Sequence, residues 1–109
     1  MTAVELIDAQ VRSYNKHDLE GFLSWYDDNT FFYNANDREP FMQGKNDMRE
    51  RYGQRFSNTQ LHVKILNRIS IGNNVIDEED VTISPTERSR VVVVYTVENE
   101  KITAVRFLR

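Results

Sequence analysis

Cysteine is absent from the 109-residue chain. That removes disulfides, thiolate metal sites, thiol nucleophiles and iron–sulfur clusters together. Glycine occurs four times and proline twice, and nowhere do the glycines form a phosphate-cradling loop or a Gly-x-Ser-x-Gly elbow. No apolar run approaches the ~20 residues that cross a bilayer, and the N-terminus carries no signal-peptide pattern. The expectation is a cytoplasmic protein with no membrane partner. Positive charge is not in excess either: 14 basic residues against 17 acidic ones leave a net charge of −3. Nothing in that balance attracts a nucleic acid. The two histidines, His17 and His62, stand far apart with no metal-ligand spacing around them, so neither a metal nor a cofactor is expected.

What is present describes an ordinary globular chain, 39% hydrophobic and 28% charged. A chain of this length buries roughly two-thirds of its unfolded surface, enough for one core. The expectation is a single domain over residues 1–109. Thr2 and Glu5 form a capping-box pair, and Ala3, Val4, Ile7, Val11 and Tyr14 follow at helical spacing. Asp18 reads as the N-cap of a second, short helix carrying Leu19, Phe22, Leu23 and Tyr26. An aromatic strand begins at Phe31-Phe32-Tyr33 and gives way to polar residues before Pro40. Gly44 and Asn46 then introduce a third helix with Met48, Tyr52 and Phe56 on one face.

From Gln60 the period changes to 2. Leu61, Val63, Ile65, Ile69 and Ile71 point one way, and His62, Lys64, Arg68 and Ser70 the other. A strand from Val75 to about Ser84, an apolar strand at Val91–Val94 and a last strand at Ile102–Leu108 complete the chain. The element order reads α-α-β-α-β-β-β, an α+β domain with an antiparallel meander at its end. Both alternating faces of the last strand remain candidates for the interior.

The strand from Val75 carries the chemistry. Its odd face holds Val75, Asp77, Glu79, Val81 and Ile83. A three-residue loop, Gly72-Asn73-Asn74, would lay that face beside the apolar face of the preceding strand, pairing Ile69 with Asp77 and Asn67 with Glu79. Two carboxylates would then lie in an apolar wall. Burial without partners raises a carboxyl's pKa toward neutrality, where it can act as a general acid or base. The same residues could instead form a purely structural hydrogen-bonded network. A one-residue slip would expose both and turn Glu78 and Asp80 inward. Tyr14, Trp25, Tyr26, Phe31, Tyr33, Phe41, Met48, Tyr52 and Phe56 are candidate lining or core residues around such a wall, with Asn34, Asn67, Tyr33 and Tyr52 as polar positioners.

The chain resembles the nuclear transport factor 2-like superfamily, in its SnoaL-like and ketosteroid isomerase-like branch. The resemblance runs through Tyr14-Asn15-Lys16-His17-Asp18-Leu19, Trp25-Tyr26-Asp27-Asp28, and Gly44-Lys45 with Met48-Arg49. It continues through Asn67-Arg68-Ile69, Val75-Ile76-Asp77-Glu78-Glu79, and Lys101-Ile102 with Val105-Arg106-Phe107. It implies a cone-shaped half-barrel in which helices close a pocket against a curved, mainly antiparallel sheet, and a homodimer through the sheet's outer face. Function does not travel with the fold. Ketosteroid isomerases use an aspartate base with a tyrosine and a protonated aspartic acid. Those positions fall here on Asn34, Gln10 and Val93, which argues against steroid isomerisation by that route. Two readings follow. One is an acid–base lyase, isomerase or hydrolase acting on a small hydrophobic or partly polar molecule, with Glu79 transferring the proton and Asp77 as its electrostatic neighbour. The other is a non-catalytic ligand-binding or dimerisation module.

Overall fold

A computed structural model describes residues 1–109. Helix α1 spans Ala3–Asn15, α2 Leu19–Leu23 and α3 Gly44–Arg55; strands are β1 Tyr26–Asn34, β2 Met42–Gln43, β3 His62–Ile71, β4 Asn74–Ser84, β5 Glu87–Glu98 and β6 Lys101–Leu108. The strands form one six-stranded sheet in the order β2-β1-β6-β5-β4-β3, with β1 parallel to β6 and every other pair antiparallel. The helices fill the concave side, and the sheet stays open. The expected α+β half-barrel is therefore present. The short β2 is additional to the strands read from sequence; the four strands after α3 are the four segments named there, one more than the order α-α-β-α-β-β-β writes out. No helix is long and apolar enough to cross a membrane.

The helix starts follow their local chemistry. Thr2 Oγ1 accepts from the Glu5 amide at 3.1 Å while Glu5 Oε1 accepts from the Thr2 amide at 2.8 Å, satisfying two otherwise orphaned donors. Asp18 Oδ1 accepts from the Gly21 amide at 3.1 Å. Gly44 opens α3 at φ +84°, and an added Cβ would stand 3.2 Å from the Asp28 carbonyl oxygen, so glycine suits both the left-handed backbone and the close approach. The end of α1 is tied to the sheet by Asn15, which donates to the Val63 carbonyl at 2.9 Å and accepts from its amide at 2.8 Å. His17 Nε2 donates to the Leu61 carbonyl at 2.7 Å.

The sheet register shifts at four places, and two of these bulges, in β3 and in β6, decide which residues face inward. Ile71 pairs with Asn74 across a two-residue turn, Gly72-Asn73, rather than the three-residue loop expected. With that turn alone, the inward residues of β4 would face even-numbered residues along all of β3. The register slips between Ile65 and Asn67, so Val63 meets Val81 while Arg68 meets Asp77. Leu61 and Val63 are accordingly buried, whereas Ile69 and Ile71 are 58% and 68% exposed. The expected pairing of Ile69 with Asp77 and Asn67 with Glu79 is corrected on this point. A second slip, between Thr96 and Val97 opposite β6, turns Ile102 inward on one side and Val105 inward on the other. Both faces of the last strand supply the core in turn. Bulges bend and coil a sheet, and these two help to cup it around the helices.

The core between sheet and helices includes Leu6, Ile7, Phe22, Leu23, Phe32, Met48, Val75, Val93 and Ile102, each at most 2% exposed. Phe22 lies 4.8 Å from Tyr52 and 5.3 Å from Phe56, and Tyr14 meets Phe56 edge-on at 5.2 Å. Burying a phenylalanine or leucine of this kind contributes roughly 1.5–3 kcal/mol.

Candidate functional site

A cavity of about 690 Å³ opens between α1, α3 and the inner face of the sheet, and Tyr14, Phe22, Phe32 and Tyr52 of the aromatic layer form part of its wall. Strand β4 sends Glu79, Val81 and Ile83 into it, β5 sends Ser89, Val91 and Tyr95, and β6 sends Val105 and Phe107. Helix α1 adds Gln10, Val11 and Tyr14, and α3 adds Arg51, Tyr52, Gln54 and Arg55.

Strict alternation along β4 puts both Asp77 and Glu79 on the concave side, at 0% and 5% exposure. Their surroundings then differ completely. Asp77 is clasped by Arg68, whose Nε donates to Oδ1 at 2.6 Å and Nη2 to Oδ2 at 2.9 Å. Arg68 Nη1 reaches Asp8 of α1 at 2.5 Å. This fork-on-carboxylate geometry saturates both oxygens of Asp77. The bonds to the aspartates hold the Arg68 guanidinium well above its ordinary range. Asp77 does not line the cavity.

Glu79 does. Tyr95 Oη donates to its Oε2 at 3.3 Å, Gln10 Nε2 donates to Tyr95 Oη at 3.4 Å, and Tyr26 Oη donates to Gln10 Oε1 at 2.9 Å. Three buried donors thus line up head to tail toward one carboxylate oxygen, an arrangement that strengthens along its length. No protein group donates to Oε1, and no buried polar atom is left unpartnered, so Oε1 is open to the cavity. Burial above all, helped by the negative charge of Asp77 and opposed by the Tyr95 bond and Arg68, raises the Glu79 carboxyl to about 7. Desolvation also raises the Tyr26, Tyr52 and Tyr95 hydroxyls, which stay protonated as donors. The Tyr52 side chain makes no hydrogen bond within the protein and lines the cavity.

The other expected site residues divide sharply. Tyr14, Phe41 and Tyr52 line the cavity, as does Tyr26. Met48 and Phe56 are buried in the packed core, outside the lining. Trp25, Phe31 and Tyr33 are half-buried and also outside it. Tyr33 lies beneath the Arg106 guanidinium, 4.5 Å from its ring centre. Asn34 is exposed at the end of β1, where its carbonyl accepts from Arg106 Nη1 at 3.1 Å. Asn67 falls on the convex side because of the bulge before it, and its amide donates to Glu78 Oε1 at 2.7 Å. Asn67, Asn34 and Tyr33 are thereby corrected as positioners around Glu79. Gln10, Tyr95, Arg51 and Arg55 were not read from sequence as site residues. Tyr95 alone carried a local signal, since it continues the inward alternation Val91, Val93 from β5.

A curved open sheet cupping three helices, with one carboxyl set into an aromatic cavity, defines an α+β cone of the nuclear transport factor 2-like class. Residues 7–105 match the SnoaL-like domain, and the chain belongs to that family. No curated protein matches the sequence. Among solved structures, it is similar to an uncharacterised cystatin-fold protein from Novosphingobium aromaticivorans, with 27% identity and a TM-score of 0.91 over 100% of this chain and 99% of that one. It is also similar to an NTF2-like protein of unknown function from Cytophaga hutchinsonii, with 13% identity and a TM-score of 0.82 over 98% and 88% of the two chains. A SnoaL-like protein of unknown function from Burkholderia thailandensis shares 14% identity at a TM-score of 0.78, over 96% and 91%.

Proposed function

We propose that the cavity binds a small, largely apolar molecule and that Glu79 exchanges a proton with it, as an acid–base isomerase or lyase that needs no cofactor. The observation that carries this reading is the asymmetry of Glu79. One oxygen is held by Tyr95, and the other is free toward the open volume. A carboxyl near pH 7 is matched to proton transfer in either direction at neutral pH. The Tyr52 hydroxyl supplies a donor for a carbonyl oxygen on which charge develops. The positions that serve steroid isomerases hold an exposed Asn34, a hydrogen-bonded Gln10 and a buried Val93, and none of these can play the corresponding acid or base. The chemistry proposed is therefore built around Glu79.

The test is a thermal-shift screen against small ketones, lactones, epoxides and polycyclic aromatics. It is followed by α-proton exchange in D2O, read by NMR, for every carbonyl compound that binds. A ligand at a hundred times its dissociation constant adds about 2.7 kcal/mol of stability. Exchange should fall by about 10²–10⁴-fold in Glu79→Gln, the usual contribution of general acid–base catalysis. Binding without exchange in the parent protein would favour the non-catalytic binding module instead.

We also propose that the chain forms a homodimer through the convex face of the sheet. Ile69, Ile76 and Val94 lie side by side there across β3, β4 and β5, flanked by the exposed Ile71. An apolar strip of this kind is a common mark of an interaction surface. Sedimentation should give twice the chain mass of 12.9 kDa at micromolar concentration, and Val94→Arg should return the monomer. A parent protein that sediments as a monomer removes this proposal.

A further inference from the structure

Seven of the ten arginines fall into two groups. Arg49, Arg68, Arg88 and Arg90 each pair with a carboxylate on a neighbouring element. Arg51, Arg55 and Arg109 do not pair with any, and all three line the cavity. All three are exposed and so stand at its solvent-facing rim, on a chain whose net charge is −3. Arg51 and Arg55 are one helical turn apart on α3 and so share a face. Arg109 follows the last residue of β6. Aromatic rings and a hydroxyl hold them in place. The Arg51 guanidinium lies 5.3 Å from the Phe41 ring centre and that of Arg109 lies 5.0 Å from the Phe107 centre, while the two rings are 6.1 Å apart. Arg55 Nε donates to Tyr14 Oη at 2.8 Å. The nearby carboxylates of α3, Asp47 and Glu50, border a shallower depression beside Arg51 and form no ion pair with it.

Guanidinium groups set on aromatic faces keep their N–H edges free for a second partner. Planar, bidentate recognition of a carboxylate is the chemistry they serve best. Resting on the reading of the cavity as a ligand site, we propose that its ligand is a ring-containing organic anion. Its carboxylate lies among Arg51, Arg55 and Arg109, and its apolar body extends past Phe41, Tyr52 and Val81 toward Glu79. Such a ligand keeps its negative charge at the rim and presents an uncharged carbon to Glu79 at depth. The arrangement also orients the molecule, since only one end is charged.

The experiment compares 2-naphthoate with 2-naphthamide, and 4-phenylbenzoate with its amide, by calorimetric titration of the full chain at neutral pH. Each acid should bind about tenfold or more tightly than its amide, and the difference should shrink as salt screens the rim. In the double variant Arg51→Gln, Arg109→Gln the acid and its amide should bind within about threefold of one another. An unchanged melting temperature shows that the variant remains folded, as the absence of ion pairs at these side chains leads one to expect. Equal binding of acid and amide by the parent protein overturns the anion assignment and leaves the cavity reading standing. A preference for the acid that survives in the double variant overturns the assignment to this rim. Failure of all the probes to bind overturns both readings.

Discussion

Glu79→Gln makes the protein more stable at about pH 8 and leaves it nearly unchanged at about pH 4. The Glu79 carboxyl has an ordinary value of 4.5 and is raised to about 7 in the folded chain. Below 4.5 it is protonated whether the chain is folded or not, and it costs nothing. Between 4.5 and about 7 the unfolded chain releases the proton and the folded chain keeps it, so stability falls as pH rises. Above about 7 both states are ionised and the loss is complete, at ~3 kcal/mol from ~1.4 kcal/mol per pH unit over that interval. Glutamine has no charge to desolvate, and its amide oxygen still accepts from Tyr95. For a domain of this size ~3 kcal/mol moves the melting temperature by about 10 °C or more. Urea unfolding of parent and variant across pH reads the difference directly. Parallel stability profiles would show that Glu79 is not held in a desolvated site. An activity lost in a variant that is more stable than its parent is characteristic of a site kept at the expense of stability.

Asp77→Asn has the opposite sign. Asp77 is inaccessible to solvent and takes both arms of Arg68. Asparagine cannot receive a guanidinium on two acceptor oxygens, which leaves a largely buried cation with only Asp8 to balance it. Breaking a buried pair by removing one partner costs about 3 kcal/mol or more. A second readout separates this from general loss of packing. Asp77 raises the Glu79 carboxyl and Arg68 lowers it, so Asp77→Asn brings the Glu79 titration down, whereas Arg68→Gln sends it up. Carboxyl-carbon NMR of Glu79 in the two variants distinguishes the cases. Movement in the same direction in both would remove the electrostatic account.

The helix starts, the change of period at Gln60 and the inward position of Asp77 and Glu79 were legible because each depends on residues within a few positions of one another. The partners of those carboxylates were not. Leu66 is the extra residue of the β3 bulge, and nothing in Ile65-Leu66-Asn67 marks it. An isoleucine on an exposed sheet face reads the same as one in a core, so Ile69 and Ile71 reinforced the wrong register. Beyond the bulge, a two-residue turn gives Ile65 and Val63 the same partner parity as a three-residue loop without a bulge, while Asp77 and Val75 next to the turn keep even-numbered partners. Arg68 therefore looked like a solvent-facing residue when it is the clasp on Asp77. Gln10 and Tyr95 are 85 positions apart in sequence, and only the folded curvature of the sheet brings them to one carboxylate. On the last strand, the inward face changes at the bulge, so a choice between its two faces had no single answer.

The clasp of Arg68 on Asp8 and Asp77 also decides which way the cone can breathe. It rivets the middle of α1 to β3 and β4 outside the cavity lining, and Asn15 fastens the end of the same helix to Val63. Lifting α1 off the sheet would break a buried ion pair and two backbone anchors together. The C-terminal half of α3 has no ion pair to the sheet: it is held by the bond from Arg55 to Tyr14 and by the packing of Tyr52 on Phe22 and Phe32 and of Arg51 on Phe41. If the cavity takes the organic anion proposed above, the less fastened side at α3 is also the side that carries Arg51, Arg55 and Arg109, so the ligand would meet the arginines before it meets the acid inside.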